Sequence, residues 1–423
     1  MSEPLLQPFP RRSEPLVRAL LRVEPVIALH GARTVGKSTL LRSVADSCGR
    51  DVIDLDDPQT RDAVEASPSA FASGKSPVFI DEYQHAPVIL DAIKAELNRD
   101  LRPGRFVLTG STRYASLPRA AQSLTGRLHT VTLWPLSQGE QAGVRESFVE
   151  RLLTRPESVI TSTISTTSRS EYVERVLRGG FPLAVGRTSA QSRARWFDDY
   201  LALVLERDVA ELSNIRQREK MPRLVGRLGG QTAQVLNVAS AAADIGLEAS
   251  VAEHYVRLLE AVFVVHRLPA WGRTLRARAS SKPKLHFVDS GLAGRMLRVT
   301  ADKLEKAQPA ALTELGHLLE TFCVGEILKQ VDSMHEPVHS GHWRTHDGDE
   351  VDLVLERDDG GVVGIEVKTG ERVPGDQFRS LRKLRDALGE AFLGGVVLHM
   401  GSRGYTYDDR LHAVPIDRLW LAD

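Results

Sequence analysis

Short apolar runs alternate with amphipathic stretches through the first third of the chain. Residues 26–29, 52–55, 78–80, 106–108 and 129–133 read as strands, being short, rich in Val, Ile, Leu and Phe, and separated by polar segments. Between them, residues 37–45 and 88–97 repeat apolar side chains at helical spacing. Strands alternating with helices predict an α/β fold, with a parallel sheet covered by helices on both faces over residues 23–157 and a short segment, 1–22, before it. In residues 158–170, nine of thirteen positions are Ser or Thr without core periodicity, which predicts a flexible linker. Residues 171–300 carry helical spacing at 196–209 and 249–262, predicting a helical domain. The pattern changes again over 301–423, where 351–355, 362–368 and 394–398 are β-rich and divided by Gly and Asp turns, predicting a helix-flanked mixed sheet.

Composition narrows the class. A chain of 423 residues with 42% hydrophobic, 26% charged and 6% aromatic residues has room for two or three ordinary globular domains, at roughly 150 residues each. Lys plus Arg and Asp plus Glu both total 55, so no whole-molecule field draws in a polyanion, and a nucleic-acid partner would need local basic patches. Cys48 and Cys323 are too few for a disulfide framework or a multi-cysteine zinc site. With no signal-like stretch near Met1 and no apolar run of membrane length, the expectation is a cytoplasmic protein with no membrane partner.

The sharpest motif is Gly31-Ala32-Arg33-Thr34-Val35-Gly36-Lys37-Ser38, with Thr39 behind it, between a predicted strand and a predicted helix. That is the phosphate-binding loop sequence in the context it requires. Its glycines let backbone N–H groups and a helix N-terminus face phosphate, Lys37 supplies a point charge, and the Ser38 hydroxyl is a magnesium ligand. The expected cofactors are therefore ATP and Mg2+. A second strand ends in Asp81-Glu82, where Asp81 is expected on the metal side and Glu82 on the attacking water. On the next strand tip, Ser111 is favoured to position that water, with Thr109 the other candidate. Arg127, opening the last strand, is a candidate to stabilise transition-state charge across a subunit boundary in a homo-oligomer.

These residues, with Asp81-Glu-Tyr-Gln84, Leu108-Thr-Gly-Ser111 and Leu124-Thr-Gly-Arg127, resemble the AAA-superfamily P-loop ATPases of bacteria and archaea that carry a C-terminal domain of unknown function. Gly179-Gly-Phe-Pro182, Glu206-Arg-Asp208, Lys284-Leu-His-Phe-Val-Asp-Ser-Gly-Leu292, Glu350-Val-Asp352 and Ile365-Glu-Val-Lys368 extend the resemblance to almost the whole chain. It implies an ATPase core, a winged-helix-like middle and a C-terminal fold like restriction endonucleases. The Ser/Thr-rich stretch is the one departure from the family pattern.

The middle segment agrees with a helix-turn-helix. Asn237 and Ser250 are predicted caps of two helices joined at Gly246, and an apolar strand follows. From Arg267 to Lys284 there are six basic residues and no acid, with Trp271 among them, so Arg273, Arg276, Arg278, Lys282 and Lys284 are candidate contacts to DNA on a wing. In the last domain, alternation places Val351 and Leu353 on one side and Glu350 and Asp352 on the other. Asp352 followed by Glu366 and Lys368 on a neighbouring strand resembles a metal-dependent nuclease signature, with Glu320 as an added carboxylate. The bland reading of the same residues is a surface Glu to Lys ion pair. The sequence thus predicts an oligomeric ATPase that engages DNA. The alternative is a nucleotide-gated switch, such as a defence or toxin–antitoxin component, that recognises a protein partner and keeps a silent nuclease-like domain.

Overall fold

The computed structural model describes residues 9–113, 124–212, 217–272, 274, 282–306 and 308–421; Arg273, Arg276 and Arg278 lie outside them. Five strands, β1 (Val26–His30), β2 (Val52–Asp54), β3 (Val78–Asp81), β4 (Phe106–Gly110) and β5 (Leu128–Thr132), form a parallel sheet in the order β2-β3-β4-β1-β5. β1 is buried at every position, as a central strand with both faces covered must be. Helix α1 (Lys37–Ser47) packs Leu40, Leu41 and Val44 against Ile27 and Leu29 on one face. Helix α2 (Val88–Arg99) packs Ile89 and Ile93 with Val26 and Ala28 on the other. The register sets Leu29 beside Thr109, and Asp54 beside Asp81. The carboxyl ends of β1, β3 and β4 therefore finish on one edge of the sheet.

Helices α3 (Arg169–Arg178) and α4 (Ala190–Leu203) follow, and α4 continues into a π-helical turn over Val204–Asp208. Next come α5 (Met221–Gly229), β6 (Gln234–Val235), α6 (Val238–Ala243), α7 (Ala249–Ala261), β7 (Val265–Leu268) and β8 (Lys284–Phe287), with the strands antiparallel in the order β6-β8-β7. The Asn237 side chain caps α6, as its position predicts. Ser250 does not cap α7: the helix starts two residues earlier than that cap implies, at Ala249 after Glu248, without a side-chain cap. Trp271, just after β7, is not on a solvated wing. Trp271 is buried, its N–H donates to the His342 carbonyl at 2.6 Å, and its indole Nε1 donates to Glu356 at 2.8 Å.

The chain continues through α8 (Ser290–Met296) into the long α9 (Pro309–Val331), then β9 (Val338–Arg344), β10 (Glu350–Arg357), β11 (Val362–Lys368), α10 (Arg379–Leu388), β12 (Phe392–His399), β13 (Tyr405–Asp408) and β14 (Leu411–Pro415). These strands make a mixed sheet in the order β13-β14-β12-β11-β10-β9. From Leu315 to Val331 no residue of α9 is exposed, and apolar side chains face most of its sides there. Two of its polar groups reach the first domain: Glu326 accepts the Gln138 N–H at 2.7 Å and Gln330 accepts the Val149 N–H at 3.1 Å.

Strict alternation fails in β10. A register shift between Val351 and Val354 sends Val351 into the core under α10 and Leu353 into the core under α9, so the two do not share a face. The Ser/Thr-rich stretch is held in place where a flexible linker was expected. Ser165 is buried and hydrogen-bonded to Asp417, the Thr167 hydroxyl donates to Asp417 at 2.9 Å, and Ser168 forms a capping box with Glu171. Hydroxyl-rich composition here serves side-chain bonding to a buried carboxylate.

Candidate functional site

The loop from β1 to α1 is fixed by close approach. A Cβ at Gly31 would lie 2.2 Å from the Leu133 carbonyl oxygen, and Gly36 has φ of 99°, a left-handed conformation natural to glycine. The first-turn N–H groups of α1 consequently point toward the loop, away from helical carbonyls. Lys37 is 4% exposed and its Nζ donates to the carbonyls of Gly31 at 3.1 Å and Ala32 at 3.0 Å. Burial pushes its pKa below the usual lysine value, the neighbouring Arg33 charge adds to that, and Glu82 and Asp81 oppose it. Arg33 is turned outward in a bidentate pair with Asp208, with contacts of 2.9 to 3.2 Å, which ties the loop to the end of α4.

Beside the loop, the Thr109 hydroxyl donates to Asp81, and Thr109 Oγ1 accepts the Glu82 N–H at 3.0 Å. Glu82 sits in a left-handed conformation, φ of 51°, which turns its side chain out of the strand line, and it accepts from Gln84 Nε2. Gln84 Nε2 also donates to Ser111 at 3.2 Å. Thr109 therefore touches the acid pair directly, and Ser111 is linked to it through Gln84. A cavity of about 400 Å3 opens here, bounded by Gly36, Lys37, Ser38, Thr39 and Glu82 on the polar side and by Phe9, Pro182 and Leu183 on the apolar side.

Arg127 lies elsewhere. It precedes β5, at the end of the sheet opposite the loop, and donates to Asn98 at 2.7 Å. Five residues of β5, at about 3.3 Å each, separate it from the loop's edge of the sheet.

A second constellation joins β8, α9, β10 and β11. Lys284 Nζ contacts Glu320 at 2.7 Å, Asp352 at 3.1 Å and Glu350. Lys284 is 1% exposed, so it cannot be the nucleic-acid contact expected from the charge run; it faces carboxylates instead of solvent. Lys282 is exposed. Asp352 Oδ2 accepts the Val367 N–H at 3.0 Å, and Glu366 pairs with Lys368 at 2.8 Å. Burial and the nearby Asp352 charge drive Glu320 up to about 8. Burial also acts to raise Asp352, but Lys284, Lys368 and the Val367 N–H outweigh it and hold Asp352 below the usual carboxylate range. The structure thus brings Glu320, Asp352, Glu366 and Lys368 together, with Lys284 at their centre. Among the described residues, no group of three or more His, Cys, Asp and Glu side chains is arranged to hold a metal ion, and no helix is long and apolar enough to cross a membrane.

Residues 23–142 match an AAA domain family, residues 169–303 a domain of unknown function (DUF8612) and residues 315–419 another (DUF4143). The chain joins an AAA domain to a DUF4143 domain. It is similar to the uncharacterized proteins Rv2008c of Mycobacterium tuberculosis and Mb2031c of Mycobacterium bovis, each 28% identical over 406 residues that cover 96% of this chain and 82% of the relative. Among solved structures, the Walker-type ATPase PABY2304 of Pyrococcus abyssi is 16% identical with a TM-score of 0.40, covering 69% of this chain and 98% of that one.

Sequence reasoning missed several residues at the edge of the AAA domain. Arg11 donates to the Val35 carbonyl at 2.5 Å and the Trp134 carbonyl at 2.6 Å, and pairs with Glu140 at 3.0 Å. Its only sequence signal is Ser137 with Glu140 three positions on, a capping-box pair that the structure forms. Asp208 and Glu350 stand in motifs of the resemblance, but their pairing with Arg33 and Lys284, far away in sequence, was not legible.

Proposed function

We propose that the AAA domain binds and hydrolyses ATP with Mg2+ and that turnover drives a conformational switch. The observation that carries this reading is the convergence of Lys37, Asp81, Glu82 and Thr109 on one sheet edge beside the α1 N-terminus. The residues present suit the nucleotide. Lys37 rests on two backbone carbonyls and, among the described residues, makes no ion pair, so its charge is available to phosphate. Asp81 and Ser38 are the residues that would hold the metal, which when bound draws charge from the phosphate oxygens. The 31–39 loop cradles phosphate with its N–H groups, and Glu82 orients and polarises the attacking water. Thr109 fixes the spacing of the two acids, since one hydroxyl bonds Asp81 and the Glu82 backbone together. Arg127, at the far end of the sheet, acts only on a neighbouring copy in a homo-oligomer. Phosphate release that requires Mg2+ and stops on chelation is the expected result; release unaffected by chelation counts against it.

Thr109→Ala should lower kcat by about ten- to a hundredfold through misplacement of the acid pair, with KM nearly unchanged. Ser111→Ala should stay within about tenfold, the worth of one neutral hydrogen bond. A larger loss in Ser111→Ala than in Thr109→Ala would restore the order favoured from sequence.

For the partner, a protein is favoured over DNA. The succession α5, β6, α6, α7, β7, β8 with β8 central supports a winged-helix reading of the middle segment. Its described cations, however, are largely spoken for: Arg267 pairs with Glu253 at 2.8 Å and Glu260 at 2.7 Å, Arg257 pairs with Glu253 at 3.7 Å, and Lys284 is buried. Helix α7 is also coupled to the ATPase core. Arg113, two residues beyond Ser111, donates its backbone N–H to the Ala261 carbonyl at 2.9 Å and its Nε to the Glu260 carbonyl at 3.1 Å. A shift at the β4 tip would be passed to α7. ATP-loaded Glu82→Gln protein should bind labelled duplex DNA no better than about micromolar at physiological salt. Nanomolar binding that falls steeply between 50 and 200 mM salt would instead establish the DNA reading.

A further inference from the structure

We propose that the carboxylate cluster of the DUF4143 domain is built around the ammonium of Lys284 in place of a divalent cation, forming a clasp between the middle sheet and the C-terminal domain that cleaves no DNA. An ammonium has three N–H donors. Three carboxylates receive them here, Glu320 at 2.7 Å, Asp352 at 3.1 Å and Glu350. Further oxygens of the cluster are also engaged, Asp352 Oδ2 by the Val367 N–H at 3.0 Å and Glu366 Oε2 by Lys368 at 2.8 Å. Magnesium requires near-octahedral oxygen contacts at about 2.0–2.1 Å, which this hydrogen-bonded arrangement does not offer.

Lys284 is not free to step aside. It belongs to β8, the central strand of its sheet, paired with Leu268 on β7 and with Val235 on β6, so its backbone is held from both sides. Leaving three carboxylates without it would place like charges in a buried site, where their mutual repulsion is least screened. The cleft outside the cluster, about 470 Å3, is lined by Asp347, Asp349, Glu350, Asp352, Glu366 and Asp376 against only Lys368 and Arg379. Arg379 is itself paired with Asp349 at 3.1 Å. A phosphodiester backbone entering that cleft meets a surplus of negative charge. The inference is independent of nucleotide turnover, because its test uses nucleotide-free chain.

The probe is Mn2+ alone, titrated into the full chain and followed by the electron paramagnetic resonance of the free ion. Wild-type and Asp352→Asn proteins should give the same isotherm. Lys284→Ala should gain one Mn2+ per chain, at least tenfold tighter than any site in the wild type, and lose it again when combined with Asp352→Asn. A wild-type Mn2+ site abolished by Asp352→Asn would overturn the proposal, as would a folded Lys284→Ala protein with an unchanged isotherm. Lys284→Ala should melt about 10 °C lower, the scale expected on removing one partner of a buried ion cluster, and Mn2+ should recover part of that loss. Should Lys284→Ala not fold, the comparison of wild type with Asp352→Asn decides alone. Labelled duplex DNA incubated with wild-type protein and Mn2+ should stay intact; cleavage that Lys368→Ala abolishes would also overturn the proposal.

Discussion

Lys37→Ala protein is expected to lose ATP turnover and to bind ATP about a hundredfold more weakly than wild type. The lysine is the one buried cation of the loop whose side-chain bonds go only to backbone carbonyls, at 3.1 and 3.0 Å. Those contacts are held at the cost of a desolvated charge, which shows in the lowered pKa. A phosphate group would supply the opposite charge, and hydrogen bonds between charged groups contribute about 1.5–3 kcal/mol each, so losing one or two costs roughly a hundredfold in affinity. Arg33 is a poor substitute, because its guanidinium is held by Asp208 through Nε and Nη2. Fluorescent-nucleotide titration of folded Lys37→Ala protein checks this, and affinity within a few-fold of wild type would remove Lys37 from the site.

Glu82→Gln should separate binding from chemistry. Glutamine keeps the shape and can accept the Gln84 hydrogen bond through its carbonyl oxygen, but it cannot draw a proton from water. Turnover should fall by about 10²–10⁴, the range for losing a positioned general base, and ATP affinity should change by less than a few-fold. The backbone at this residue is in a left-handed conformation whichever of the two side chains it carries, and the Thr109 hydroxyl still fixes its N–H. Little structural disturbance should accompany the loss.

The phosphate loop and the parallel sheet were legible in the sequence because both are local. The loop motif is contiguous, and the strands of the first domain are short apolar runs that need both faces covered. Asp81 and Glu82 were legible for the same reason, lying at the end of one such run. Ser111 was favoured over Thr109 from sequence, where the contacts of neither could be read, since these depend on which hydroxyl meets a carboxylate from another strand. Lys284 was misread because a run of like charges resembles a solvated surface until tertiary structure brings Glu320, Glu350 and Asp352 to one of its members. The β10 register shift was equally invisible, because a strand's alternation carries no mark of the place where its pairing slips. Trp271 shows the limit from the other side: its neighbours are basic, but its own burial is decided by the edge of a sheet beyond residue 338.

The central claim, that Lys37, Asp81, Glu82 and Thr109 form one ATP-hydrolysing site, is tested most directly by mixing Glu82→Gln protein with radiolabelled ATP and Mg2+ and counting bound nucleotide and released phosphate in the same sample. About one ATP retained per chain, unhydrolysed over many wild-type turnovers, is the expected result. Phosphate release at the wild-type rate, or no retained ATP, would contradict it.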